Sequence, residues 1–377
     1  MPRHPALLLL AFALFTALPA SAQIPAPALA AKSWLLLDAS SGQLITSQAA
    51  NERFEPASLT KLMTAYIAFT AIKNKQLALT QAIPVSEKAW RAQGSRMFIE
   101  PNKPVTVEEL LRGMIVQSGN DACIALAEAI AGSEEGFAQL MNKEAARLGM
   151  KNTRFVNSSG LPDPQHYSSA QDLALLAHAL IRDFPEFYAQ LYSMKEYRYN
   201  NITQHNRNRL LWLDPNVDGV KTGFTDNAGY CLIASAKRGP RRLISVVLGT
   251  SSDSVRAQES QKLLNHGFQF YESVRLYEKN QAVSTLEVWK GSENRVKAGF
   301  QSDMFVTLPR GQADKVKAEF VSQQPLVAPI SAGQRVGTLK VMVETALVAE
   351  YPVLALENVG IAGYFGRTWD TLRLWFK

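Results

Sequence analysis

Cysteine and histidine are scarce in this chain. Its 377 residues include two cysteines, Cys123 and Cys231, and five histidines, His4, His166, His178, His205 and His266. No histidine stands at metal-ligand spacing such as H-E-x-x-H, so neither a metal nor a cofactor is inferred. Neither cysteine is accompanied by a histidine pattern for thiol catalysis. Both lie in apolar stretches, and free cysteine behaves as a small buried hydrophobe, so two buried thiols are the expectation. A disulfide is the alternative if the chain is exported. No internal repeat or low-complexity tract is present. The net charge is +7, but the basic residues are dispersed and no zinc-finger, helix-turn-helix or aromatic-basic signature accompanies them. Nucleic acid is therefore not an expected partner. A modest positive charge suits an anionic membrane surface or an acidic wall polymer.

The chain is 47% hydrophobic, enough for a substantial core and more than one domain. Residues 1–22 read as a signal peptide. Arg3 and His4 open it, an apolar run covers Ala6 to Leu18, and Ala20-Ser21-Ala22 is an A-x-A cleavage site, which predicts a mature start at Gln23. The apolar run is short for a membrane span of about twenty residues. Trp34 to Asp38 and Gly42 to Ile45 read as a hairpin joined by Ala39-Ser40-Ser41. A helical region follows from Ser58 to about Leu180, then strands from Glu196 to Leu248 and a helix over Ala257 to Leu264. Strands at both ends of a helical middle predict one α/β (α+β) domain over 23–278, its sheet drawn from both ends of the segment. Over 279–356 the helical periodicity fades into short strands separated by turn residues, which predicts a small β-sandwich. Residues 357–377 read as an amphipathic helix, with Ile361, Phe365, Trp369, Leu372 and Phe376 near one face. It is too polar to span a bilayer and suits the surface layer. A helix docked on the protein's own core is the alternative.

Three short motifs carry chemistry. Ser58-Leu59-Thr60-Lys61 places a hydroxyl and an amine three residues apart at the start of an apolar helix, so the amine can reach the hydroxyl. A serine needs a neighbouring base to become a nucleophile. Alone, such a match is as easily a capping serine followed by a surface lysine. In Ser118-Gly119-Asn120, the serine can pass a proton and the asparagine can orient Lys61 or hold a substrate carbonyl. The same residues also make an ordinary turn between helices. Lys221-Thr222-Gly223 leads into strand-like sequence. Its cation and hydroxyl suit a terminal carboxylate, and its glycine lets a substrate backbone lie close.

The ordered set Ser-x-x-Lys, Ser-x-Asn, Lys-Thr-Gly is that of class A β-lactamases and penicillin-binding proteins. Over nearly all of its mature length the chain resembles the D-alanyl-D-alanine carboxypeptidases among the low-molecular-mass penicillin-binding proteins. The resemblance extends to Asn206-Arg207-Asn208 and to the segment from Arg241 to Phe270. It implies a β-lactamase/transpeptidase-like catalytic domain, a small C-terminal all-β domain and an amphipathic tail helix. It also implies a peptidoglycan pentapeptide as substrate, β-lactams as covalent inhibitors, and peripheral attachment at the periplasmic face of the bacterial inner membrane. Ser58, Lys61, Ser118 and Asn120 are then the catalytic candidates. Lys221, Thr222, Gly223, Phe224, Arg256 and Arg207 are the substrate-binding ones, with the backbone N–H groups of Ser58 and Phe224 as oxyanion donors. Two positions depart from some relatives: Phe224 and Ser159 stand where those carry histidine, which leaves the source of deacylation open. A β-lactamase-like hydrolase and a non-catalytic wall-binding protein are the competing readings. Against the first, Glu196 lacks the Glu-x-x-Leu-Asn context of the class A deacylating glutamate.

Overall fold

A computed structural model of the chain describes residues 24–364. The expected signal peptide and most of the expected tail helix lie outside the described residues. The larger body is built on a five-stranded antiparallel sheet. Its spatial order is Leu44–Gln48, Ser33–Asp38, Arg241–Thr250, Gly229–Arg238 and Val217–Thr225. The two N-terminal strands thus join three strands from the far end of the domain, as the sequence predicts. The Lys-Thr-Gly strand is the outer edge.

Period-two alternation along these strands feeds two cores. Leu35, Leu37, Ile233, Ile244 and Val246 face the large helical layer. Trp34, Leu36, Leu232, Ala234, Leu243 and Val247 face the helix Asp253–Phe270. That helix packs close because Gly267 brings no side chain. A Cβ there would lie 2.7 Å from Leu36 Cδ2 and 2.7 Å from Leu243 Cδ1. It is longer than the predicted Ala257–Leu264. Ser252 caps it by accepting from the Val255 amide, and Asp253 supports the dipole in its first turn.

The helical middle resolves into Lys61–Lys73, Val107–Val116, Asn120–Ala131, Glu134–Arg147 and Ala170–Asp183, with shorter pieces between them. Lys61–Lys73 is nearly all apolar and is buried from Lys61 to Phe69. An apolar helix with no solvent face belongs in the centre of a domain. Ser58 does not open this helix. It sits in a 3-10 turn, Ala57–Thr60, that precedes it. In a 3-10 turn residues i and i+3 eclipse, so Ser58 and Lys61 still stack.

The second body is all-β apart from one short turn. Six strands run in the order Val316–Ser322, Arg335–Val343, Ala346–Ala355, Arg295–Gly299, Ala282–Trp289, Leu326–Val327. Tyr271–Tyr277 pairs with Met304–Pro309 beside them. The pairing begins at Tyr271, before the expected boundary at 279. It continues past 356, where Val359 bridges Ile330 and Ile361 bridges Gly291. Ile361 is thus bridged into the β body, not set on the predicted tail helix. Cys123 and Cys231 are both free and buried, in line with the two-thiol reading. No helix among the described residues is long and apolar enough to cross a membrane.

Leu36→Ala removes a fully buried side chain between sheet and helix. The catalytic body should lose about 3 kcal/mol of unfolding free energy, read by denaturant titration. A loss below about 1 kcal/mol would contradict this packing.

Candidate active site

The three motifs meet in one cleft of about 740 Å³ whose lining includes Ser58, Ser118, Asn120 and Thr222. Four of the pieces of chain around it hold the motif residues and the loop that faces them. The 3-10 turn brings Ser58. The turn between Val107–Val116 and Asn120–Ala131 brings Ser118. The edge strand brings Lys221 to Phe224, and the loop before Ala170–Asp183 brings Ser159 and Gly160.

Lys61 is 1% exposed. Its Nζ lies 2.8 Å from Ser58 Oγ, 2.7 Å from Asn120 Oδ1 and 2.6 Å from the Ser159 carbonyl oxygen. Burial lowers its pKa from 10.5 to about 8, and the Arg207 charge pushes the same way, while Cys123 and Asp121 oppose. Lys221 is not among the charges that move the Lys61 amine. The electrostatic pressure between the two amines is instead felt at Lys221, which is held well below its ordinary value by burial, then by Lys61, Arg207 and Arg256. An incoming carboxylate reverses that pressure and favours the charged ammonium.

Two of the Lys61 partners, an amide oxygen and a peptide carbonyl, accept but cannot donate. A neutral amine has two N–H groups and one lone pair. With both N–H groups given to Asn120 and Ser159, the lone pair is left facing Ser58. Asn120 is itself fixed, because its Nδ2 donates to the Gln93 carbonyl at 2.6 Å and its backbone N–H to Ser95 at 2.7 Å. The neighbouring Asp121 carboxylate accepts the backbone N–H groups of Met97, Phe98, Ile99 and Ala122, which ties that loop to the helix start.

Ser118 is not among the hydrogen-bond partners of Lys61. Its hydroxyl accepts from Lys221 Nζ at 2.9 Å, and the residue holds a left-handed backbone at φ 63°. Ala57, just before Ser58, is also left-handed at φ 48°. Non-glycine residues in this region carry strain and cluster at functional sites. The glycines are demanded by close approach. A Cβ on Gly160 would lie 1.8 Å from the Ala57 carbonyl oxygen, and one on Gly223 3.1 Å from that of Pro56. The edge strand and the 160 loop therefore clamp the serine turn from two sides.

Arg256 is buried against the cleft. It donates to the Gly223 carbonyl at 3.3 Å, pairs with Asp253, and lies over the Tyr230 ring at 5.5 Å. Thr222 is 6% exposed at the cleft wall, and Arg207 is exposed at its rim. The Phe224 side chain is exposed and leans on Tyr230 with ring centroids 4.4 Å apart. All ten sequence candidates are thus in or around one cleft. Sequence reasoning missed the Ser159 carbonyl as a Lys61 partner. The turn signal Asn157-Ser158-Ser159-Gly160 was there, but a backbone acceptor leaves no mark in residue type. Among the described residues no group of acidic, histidine and cysteine side chains could hold a metal ion.

Residues 20–252 match the family model described as D-alanyl-D-alanine carboxypeptidase. Residues 271–360 match that of the C-terminal domain of penicillin-binding protein 5. The chain is 44% identical to D-alanyl-D-alanine carboxypeptidase DacC of Escherichia coli (strain K12), over 96% of this chain and 92% of that one. Penicillin-binding protein 5 from Haemophilus influenzae superposes with a TM-score of 0.83 at 40% identity, covering 90% of this chain and all of that one. The ampicillin-bound form of penicillin-binding protein D2 from Listeria monocytogenes covers 65% of this chain and all of that one, with a TM-score of 0.60 and 31% identity. With the catalytic fold, the appended β domain and near-full-length similarity in agreement, the chain belongs to the D-alanyl-D-alanine carboxypeptidase family of penicillin-binding proteins.

Proposed function

We propose that the protein removes the terminal D-alanine from peptidoglycan pentapeptides through an acyl-serine intermediate. One observation carries the reading: a buried lysine amine 2.8 Å from a serine hydroxyl, its other partners both carbonyl oxygens.

Ser58 Oγ attacks the carbonyl before the last D-alanine while its proton passes to Lys61 Nζ. The tetrahedral oxyanion rests on the backbone N–H groups of Ser58 and Phe224. Collapse breaks the C–N bond, and the proton that Lys61 accepted passes by way of Ser118, which Lys221 holds in place, to the leaving amine, so that Lys61 is neutral again. The substrate carboxylate is received by Thr222 and Arg256, with Lys221 and Arg207 adding positive charge and the guanidinium fork suiting a carboxylate. Gly223 lets the peptide backbone lie along the edge strand. Water then attacks the ester, its proton goes to Lys61, and Ser58 leaves as the hydroxyl. A β-lactam enters the same acylation as a strained amide and stays attached.

The β-lactamase-like alternative finds no support at Glu196. Its side chain is 59% exposed and pairs with His205 at 3.3 Å across a surface hairpin. The set of intact motif residues in one cleft disfavours a non-catalytic wall binder. The localisation reading is export by the leader at 1–22 and peripheral attachment to the periplasmic face of the inner membrane. That attachment is assigned to the aromatic and basic residues toward 377, with the catalytic body and the β domain between.

Ser58→Ala should abolish covalent labelling by a fluorescent penicillin. Labelling that persists in the variant would refute the serine's role. The neutral form of Lys61 exists above its pKa, so acylation should rise with pH, half-maximal near pH 8 and about tenfold faster at pH 9 than at pH 7. A flat profile over that window would remove Lys61 as the base. Deleting residues 365–377 should move the protein from the membrane fraction to the soluble one. Unchanged pelleting of the shortened chain would remove the anchor.

A further inference from the structure

We propose that Asn157 is a positioning residue for Lys61: its side chain folds the turn that aims the Ser159 carbonyl at the amine. The proposal rests on the acyl-transfer reading above and concerns how its base is held.

The Asn157 side chain is bonded almost entirely to the turn that follows it. Its Oδ1 accepts the backbone N–H groups of Ser159, Gly160 and Leu161 at 3.2, 2.7 and 3.2 Å. Its Nδ2 donates to the Leu161 carbonyl at 2.9 Å. One amide thus determines how residues 158–161 bend. A second group determines where the bend starts. Glu134 Oε1 accepts from the Ser158 N–H at 3.0 Å and from its hydroxyl at 2.7 Å, while Thr64 donates to the Ser158 carbonyl at 2.6 Å. Between these anchors the Ser159 carbonyl has little freedom, and it ends 2.6 Å from Lys61 Nζ.

The turn also touches the nucleophile's own backbone. Gly160 is left-handed at φ +85°, and its missing Cβ leaves room for the Ala57 carbonyl. A change in the bend therefore reaches both the base and the serine turn. Asn157 does not itself line the cleft, so it acts through the backbone rather than on the substrate.

The chemical consequence follows from the amine's geometry. A neutral amine directs its lone pair at Ser58 only while two acceptors take its two N–H groups. Asn120 supplies one and Ser159 the other. If the Ser159 carbonyl turns away, the amine is free to rotate and the productive orientation is populated less. Misplacement of a reacting group by about 1 Å can cost about a hundredfold in rate.

The titratable and charged groups already acting on Lys61 are Cys123, Arg207 and Asp121. His166 and Lys221 lie close enough to feel its charge. The Glu134 carboxylate already holds Ser158 from outside the turn, and a carboxylate at position 157 would add a second negative charge on the loop side.

The test separates the noncovalent dissociation constant of a penicillin from its acylation rate constant, and counts the fraction of sites labelled at long times. Asn157→Ala should slow acylation by about ten- to a hundredfold, with the dissociation constant changed by less than about twofold and labelling still complete. Asn157→Asp keeps an acceptor for the three N–H groups. It should recover much of the rate at alkaline pH, with the acid limb of the profile moved up by about one pH unit, because a nearby carboxylate favours the charged amine. An Asn157→Ala protein that acylates at the wild-type rate overturns the proposal. So does one whose labelled fraction falls while the rate constant of the remainder is unchanged, since that marks a purely structural role. An Asn157→Asp profile that does not move also overturns it. A wild-type protein that takes no label overturns the acyl-transfer reading, and this inference with it.

Discussion

The site depends on one lysine amine held out of water. Desolvation disfavours the charged form of Lys61, and its partners are arranged so that the uncharged form is the useful one. The surrounding fold can be read as the means of paying no polar debt there. Each N–H of the amine has a carbonyl, each of those carbonyls belongs to a group fixed elsewhere, and the lone pair is left for Ser58. The arrangement needs a rigid floor, which the buried helix Lys61–Lys73 provides.

The sheet and the loops then bring chemistry to that floor. The Lys-Thr-Gly strand stands at the sheet edge, the position from which a strand can pair with an extended peptide. Gly223 and Gly160 allow the edge strand and the 157–161 turn to press against the serine turn from opposite sides. Left-handed backbone at Ala57 and Ser118 marks the two places where the chain is bent to present a hydroxyl. Cations gather at the cleft, with Lys221 and Arg256 both buried and Arg207 exposed at the rim. The β body meets the catalytic body through the first hairpin, where Ser41 Oγ lies 2.6 Å from Thr307 Oγ1. That contact is far along the sheet from the Lys-Thr-Gly edge.

Residue type made the side chains that meet at the cleft legible. Ser58, Lys61, Ser118, Asn120 and Lys221 announce themselves by spacing and order. Strand alternation made the sheet legible, including its use of both ends of the domain. What stayed hidden was backbone chemistry. The Ser159 carbonyl, the 3-10 turn before Lys61–Lys73 and the left-handed Ala57 depend on φ and ψ, which Ser and Ala do not encode. The helix Asp253–Phe270 was under-read because its polar, glutamine- and serine-rich face dilutes the apolar period. Tyr271–Tyr277 continues from that helix without a turn residue, and its pairing with Met304–Pro309 places it beside the β body.

The most direct measurement is the protonation of Lys61 itself. Lysine labelled with carbon-13 at Cε, observed by NMR across a pH titration and assigned with a Lys61→Arg variant, reads the amine without any substrate. The account predicts a midpoint near 8 for this one resonance. A midpoint at the ordinary lysine value of about 10.4 would leave only about one amine in 2,500 uncharged at pH 7, against about one in ten for a midpoint near 8, and would contradict its role as the base.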